Sequence, residues 1–226
     1  YKPFLRNLQT REGENAHGGV GIWIKNQKPA HKVTLRTNLQ AIAVSFVLHK
    51  KITICSLYLP PTEAISRQEI EELLQQLPKP FLVLGDYNAH SRLWYCDRDC
   101  ARGKIIRKII EERDIFLLDK AKHTNFSRAH TTKSHVDLSI SSLGLHEDFD
   151  WDADDYFRTS DHAPIYIKNK NPISHSYEQR WITKKADWGN YTKATETDTD
   201  IEEFNNAEEA VECLNNIIKN AAEQTI

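Results

Sequence analysis

The stretch FLVLGDYNAH, residues 81–90, runs four apolar residues into a glycine, a carboxylate, an aromatic ring, an amide, an alanine and an imidazole. Phe81–Leu84, bounded by Pro80 and Gly85, reads as a buried strand. Turns favour Gly, Asp and Asn, so the segment from Gly85 to Asn88 is in part ordinary chain reversal. A rigid strand also aims Asp86, Asn88 and His90 at whatever lies beyond its carboxyl end.

Upstream, GGVGIWIK (18–25) puts Val20, Ile22 and Ile24 on one face of a strand. AIAVSFVL (41–48) and ITICSLYLP (52–60) alternate around His49–Lys51, so 41–58 reads as a hairpin ended by Pro60 and Pro61. A helix then starts at Ser66, with Glu69 completing a capping box and Ile65 and Ile70 a hydrophobic staple. Ile70, Leu73, Leu74 and Leu77 keep helical spacing until Pro78. Downstream, a second helix is predicted over 102–112 on Ile105, Ile106, Ile109 and Ile110, with strands at 115–119, 135–141 and 163–167. The class is mixed α/β.

The character changes beyond residue 170. NKNPISHSYEQ reads as a linker, and Ile201, Phe204, Val211, Leu214 and Ile218 mark an amphipathic helix from 201. The organisation expected is one domain over 1–170 and a linker with helical tail over 171–226. No basic segment followed by an apolar one opens the chain, and the missing initial Met suggests a fragment.

At 39% hydrophobic and 27% charged the composition is that of a globular protein, and no eighteen-residue apolar run is present, which argues against a membrane-spanning helix. A net charge of −2 gives no global electrostatic case for nucleic acid, although a local basic face can coexist with an acidic tail. Arg102, Lys104, Arg107 and Lys108, and the acidic run 147–155, read as solvated surface. Cys96 and Cys100 have no second pair at ligand spacing, so zinc is not supported.

Three aspartates stand apart. Asp86 follows a strand, Asp137 lies inside one, and Asp161 precedes another with His162 beside it. Carboxylates in or against apolar strands are costly unless paired or bound to a cation. Magnesium takes a few oxygen ligands and leaves room for water and phosphate. Asp86 with Asn88 suits the orientation of an attacking water, His162 suits stabilisation of phosphate charge, and Asp137 could hold His162 in one tautomer.

GGVGIWIK, ITICSLYLPP, FLVLGDYNAH, HVDLSIS and SDHAPIYI, in this order over about residues 17–168, resemble the endonuclease/exonuclease/phosphatase superfamily. The detail is most similar to the apurinic/apyrimidinic-like endonuclease domain of non-LTR retrotransposons, with Tyr87 where that branch has Phe. The resemblance implies a DNase I-like two-sheet β-sandwich flanked by helices, four layers in the order α/β/β/α. It implies that Asp86 and Asn88 position and activate water, that Asp161 assists metal binding, that His162 contacts the scissile phosphate, that Asp137 pairs with that histidine, and that Tyr58 lines the phosphate site. His90 sits where the branch carries a histidine and is held as a substrate contact. Asp86 is also counted as a metal residue, for Mg2+ with Mn2+ as the alternative.

The family's first strands, one bearing an Asn and a later element ending in a metal-binding Glu, have no counterpart in YKPFLRNLQTREGENAH (1–17). Asn7, Glu12 and Glu14 follow no apolar strand. The chain is therefore expected to lack its first strands and to catalyse weakly or not at all. The function expected is Mg-dependent nicking of DNA in a nuclear or cytoplasmic setting, with a tail that packs on a reverse transcriptase absent from this chain. The alternatives are a phosphoesterase acting on small or lipid esters, and a non-catalytic nucleic-acid-binding remnant.

Overall fold

The computed structural model describes residues 1–6, 18–127, 131–155, 160–171, 186–196, 204 and 206–225. The chain divides into two compact units, Tyr1–Ser174 and His175–Ile226.

The first unit is built on a six-stranded mixed sheet. Its strands, in spatial order, are β3 (Ala30–Val33), β4 (Gln40–Val47), β5 (Lys51–Tyr58), β6 (Phe81–Asp86), β10 (Asp137–Ser142) and β7 (Ile115–Leu117). β4 and β5 form the expected hairpin, β6 joins β5 in parallel, and β10 lies antiparallel to β6. The β5–β6 crossover is α1 (Arg67–Gln75), and its Ser66–Glu69 capping box forms as expected. α2 (Ala101–Glu112) links β6 to β7.

Strand periodicity sorts the sheet into two faces. Ala41, Ala43, Cys55, Leu57, Val83, Leu138 and Ile140 point to one core, with Ile70 and Leu73 of α1 and Ile106 and Ile109 of α2. The other face meets two hairpins. β1 (Lys2–Arg6) and β2 (Val20–Ile24) set Phe4, Ile22 and Ile24 against Ile42 and Val44. β11 (Phe149–Ala153) and β12 (Ile165–Asn169) set Phe149 and Ile167 near Ile52 and Leu82. A cavity of about 610 Å³ lies on this face, lined by Phe46, Ile54, Leu84 and Ile167 among others and reaching Gly85 and Asp137. A third hairpin pairs β8 (Asn125–Ser127) with β9 (Thr132–Ser134).

Several expectations shift. A strand does stand near the start: Lys2–Arg6 pairs with β2 and buries Phe4. Asn7, Glu12 and Glu14 lie outside the described residues. The acidic run 147–155 is largely strand β11, with Phe149, Trp151 and Ala153 buried and Asp150 and Asp152 exposed. The last strand begins at Ile165 rather than 163.

In the second unit α3 (Trp188–Thr195) packs on α4 (Ala207–Thr225). Ala221 and Ala222 are buried, whereas Val211, Leu214 and Ile218 stay exposed. α4 starts at 207, not 201; residues 201–203 lie outside the described residues.

Candidate active site

Strand register assembles the site. Asp86 is the Cα partner of Tyr58 on one side and of Asp137 on the other, so three neighbouring strands end in one row. Residues paired across strands share a sheet face, so both carboxylates lie on the face that carries the hairpins.

The turn after β6 then fixes Asp86. Tyr87 is fully buried and its N–H donates to Val136 O at 3.0 Å. Asn88 adopts φ +46°, a left-handed conformation that Asn tolerates better than most residues. There its backbone N–H donates to Asp86 Oδ1 at 2.8 Å, and its Nδ2 donates to Asp86 Oδ2 at 2.9 Å and to Leu59 O at 3.1 Å.

His162 arrives from the other direction, through an antiparallel bridge to Asn125. Its Nδ1 is 2.8 Å and 3.0 Å from the two oxygens of Asp137, and its Nε2 is 3.0 Å from Asn125 Nδ2. The carboxylate accepts, so Nδ1 carries the proton; with Asn125 Nδ2 donating, Nε2 accepts. Thr124 Oγ1 accepts from the N–H groups of Val136 and Asp137 and so anchors the start of β10.

This crowding sets the electrostatics. Burial, and then the charge of Asp137, push the Asp86 carboxyl up to about 6, against the opposing pull of the Asn88 N–H, His162 and Arg102. The hydrogen bond to Asp137 raises the His162 imidazole above its ordinary value despite burial. Burial and the nearby carboxylates of Asp86 and Glu63 raise the Tyr58 phenol.

Ligand atoms of Asp86, Asp137 and His162 lie within 4.8 Å of one another. Two half-buried carboxylates served by one imidazole leave negative charge that a divalent cation would neutralise. A hard cation takes oxygen rather than a ring nitrogen already engaged with Asp137. The donor set therefore fits a metal through its carboxylates.

The structure brings Asp86, Asn88, Asp137, His162 and Tyr58 to one end of the sheet. Asp161 is exposed and its carboxylate is not part of the compact trio; its backbone carbonyl accepts from Phe126 N–H at 2.7 Å. His90 is half-buried where the turn meets α2; its N–H donates to Cys100 Sγ, and its carbonyl accepts from the Cys100 N–H. Burial, then the charge of Arg98, lower its imidazole. Sequence reasoning missed Thr124 and Asn125, which belong to no motif. It also misread Arg102, whose guanidinium is turned onto the backbone around the site rather than solvated.

Residues 52–166 match the family model described as endonuclease-reverse transcriptase. The chain is 26% identical over 221 residues to the probable RNA-directed DNA polymerase from transposon X-element of Drosophila melanogaster, covering 93% of this chain and 24% of that protein. It is 27% identical over 180 residues to the RNA-directed DNA polymerase from mobile element jockey of the same species, covering 76% of this chain and 19% of that one. The chain thus spans about a quarter or less of the curated relatives it matches. Among solved structures, the endonuclease domain of TRAS1, a telomere-specific non-LTR retrotransposon, superposes with TM-score 0.62 at 19% identity, over 74% of this chain and 78% of that one. That likeness gives the DNase I-like fold: mixed sheets with flanking helices.

Proposed function

The chain belongs to the endonuclease-reverse transcriptase family, and on that premise we propose that its first unit is a metal-dependent DNA endonuclease, which hydrolyses a target phosphodiester and leaves a 3′-hydroxyl primer. One observation carries the reading: Asp86, held by Asn88, stands in register with Asp137, held to His162.

An ionised carboxylate oxygen has two acceptor sites. Asn88 takes one on each oxygen of Asp86, which leaves one for an attacking water and one for a cation. A carboxylate raised to about 6 is also a better base near neutral pH than an ordinary one. Asp137 fixes the His162 ring and favours its protonated form, so a second proton, taken up at Nε2 when that atom leaves the Asn125 amide, would face a phosphate oxygen. Tyr58 and His90 bound the phosphate and substrate sides. Magnesium, or manganese in its place, would be held by Asp86 and Asp137 with Asp161 as a further oxygen donor, and supplies Lewis-acid polarisation of the phosphate.

The Drosophila relatives are polymerases, and the exposed Val211, Leu214 and Ile218 stripe of α4 gives the tail an apolar face for a reverse transcriptase segment. A DNA substrate fits a nuclear or cytoplasmic location; among the described residues no helix is long and apolar enough to cross a membrane.

The test is nicking of supercoiled plasmid with Mg2+ or Mn2+, alongside phosphate release from small esters. Nicking supports the endonuclease. Phosphate release without nicking supports a phosphoesterase instead.

A further inference from the structure

Arg102 stands in the first turn of α2, the end of a helix where a cation is least favoured. Its side chain reaches away from that turn and donates to five backbone carbonyls: Nη1 to Leu59, Tyr87 and Asn88 at 3.1, 3.1 and 3.3 Å, and Nη2 to Pro60 and Glu63 at 2.7 and 2.6 Å. These carbonyls belong to two segments, the chain leaving β5 after Tyr58 and the turn leaving β6 after Asp86. Neither segment is regular structure, and the backbone pairing carries only one residue past each strand, through Leu59 N–H to Asp86 O and Tyr87 N–H to Val136 O. Where β5 and β6 stop pairing, one guanidinium continues the tie.

α2 is brought close enough for this by Gly103. A Cβ there would lie 1.9 Å from His90 O, a backbone atom that cannot swing aside. Cys100 Sγ caps the same turn, accepting from the N–H groups of Gly103 and His90. The helix start is thus sewn to the turn that carries Asn88.

We infer that Arg102 is the positioning residue of this site, holding the Asn88 turn against the Leu59–Glu63 segment so that both donors of Asn88 stay on Asp86. The planar fork matters as well as the charge. A lysine offers a compact ammonium that cannot span five carbonyls in two segments. The inference rests on the endonuclease reading for its catalytic consequence, though not for its structural one.

The test compares the wild-type chain with Arg102→Gln and Arg102→Lys. Backbone hydrogen exchange is read without metal or DNA at Asn88, whose N–H donates to Asp86, and at Val44 and Cys55 in the sheet centre. In Arg102→Gln, Asn88 should exchange on the order of tenfold faster while Val44 and Cys55 keep their rates. Plasmid nicking should lose roughly 10²-fold in kcat with KM for DNA nearly unchanged, and Arg102→Lys should recover only part of it. An unchanged Asn88 rate, an unchanged kcat in an active enzyme, or equal loosening of Val44 and Cys55 overturns the inference. A wild-type chain that does not nick contradicts the endonuclease reading alone, because the exchange measurement still decides the role of Arg102.

Discussion

Asp86 and Asp137 are direct cross-strand partners on β6 and β10, and each has its own polar support: Asn88 on Asp86, His162 on Asp137. Two like charges held face to face by sheet register oppose the fold that holds them. Replacing one should therefore relieve strain while removing function. Asp86→Asn is expected to stabilise the metal-free protein by about 1 kcal/mol near neutral pH, after discounting for partial exposure, and to abolish nicking. Urea titration checks the first part.

The pH dependence has a definite sign. Asp86 is raised in the fold, so its stabilisation is complete below the ordinary carboxylate range and is lost as pH climbs to about 6. His162 is also raised, so its contribution is complete below the ordinary imidazole value and is lost as pH rises through the higher folded one. Both make the metal-free protein less stable with rising pH. Added Mg2+ or Mn2+, by binding the ionised carboxylates, should reverse the slope above about pH 6. Thermal melts across that range, with and without metal, check it; Asp86→Asn should remove the lower part of the slope and His162→Gln the upper.

Asp137 and His162 act as one unit, joined by hydrogen bonds of 2.8 and 3.0 Å. Asp137→Asn and His162→Ala should each reduce nicking by about 10²–10⁴-fold. The double variant should be little worse than either single, because groups that act together do not add. Rates of the wild type and the three variants on one plasmid form the cycle.

Beneath the site, Asp119 and His135 form a buried pair at 3.5 Å, and Asp119 also accepts from the Ser139 N–H. Burial holds the Asp119 carboxyl above its ordinary range. Asp119→Ala should cost about 1–3 kcal/mol by leaving the buried Ser139 donor without a partner. Ser139 precedes the centre of β10, so the loss should appear as lower thermal stability with near-normal nicking at low temperature. Circular dichroism melts and cold nicking assays test both halves.

What could be read from the sequence depended on how local the signal was. The β4–β5 hairpin, β6 and α1 announce themselves through strand alternation, an apolar run and a capping box, all set within a few residues. β1 did not, because KPFLR buries only Phe4. β11 was hidden because the exposed half of its alternation is aspartate, which reads as acidic surface. In the site, Asp86 and Asn88 lie two residues apart on a strand end, a spacing visible in the chain. Asn125 meets His162 across 37 positions, and Arg102 meets Leu59 across 43. Only the tertiary fold supplies those contacts, and a guanidinium in a basic cluster gives no sign that it is turned inward.

The most direct test is nicking of supercoiled plasmid in the presence of Mg2+ by this chain beside its Asp86→Ala counterpart. Metal-dependent conversion to open circles with extendable 3′-hydroxyl ends is predicted for the wild-type chain and is lost in Asp86→Ala. Undiminished nicking by Asp86→Ala, or none by the wild-type chain, would contradict a site built on this carboxylate.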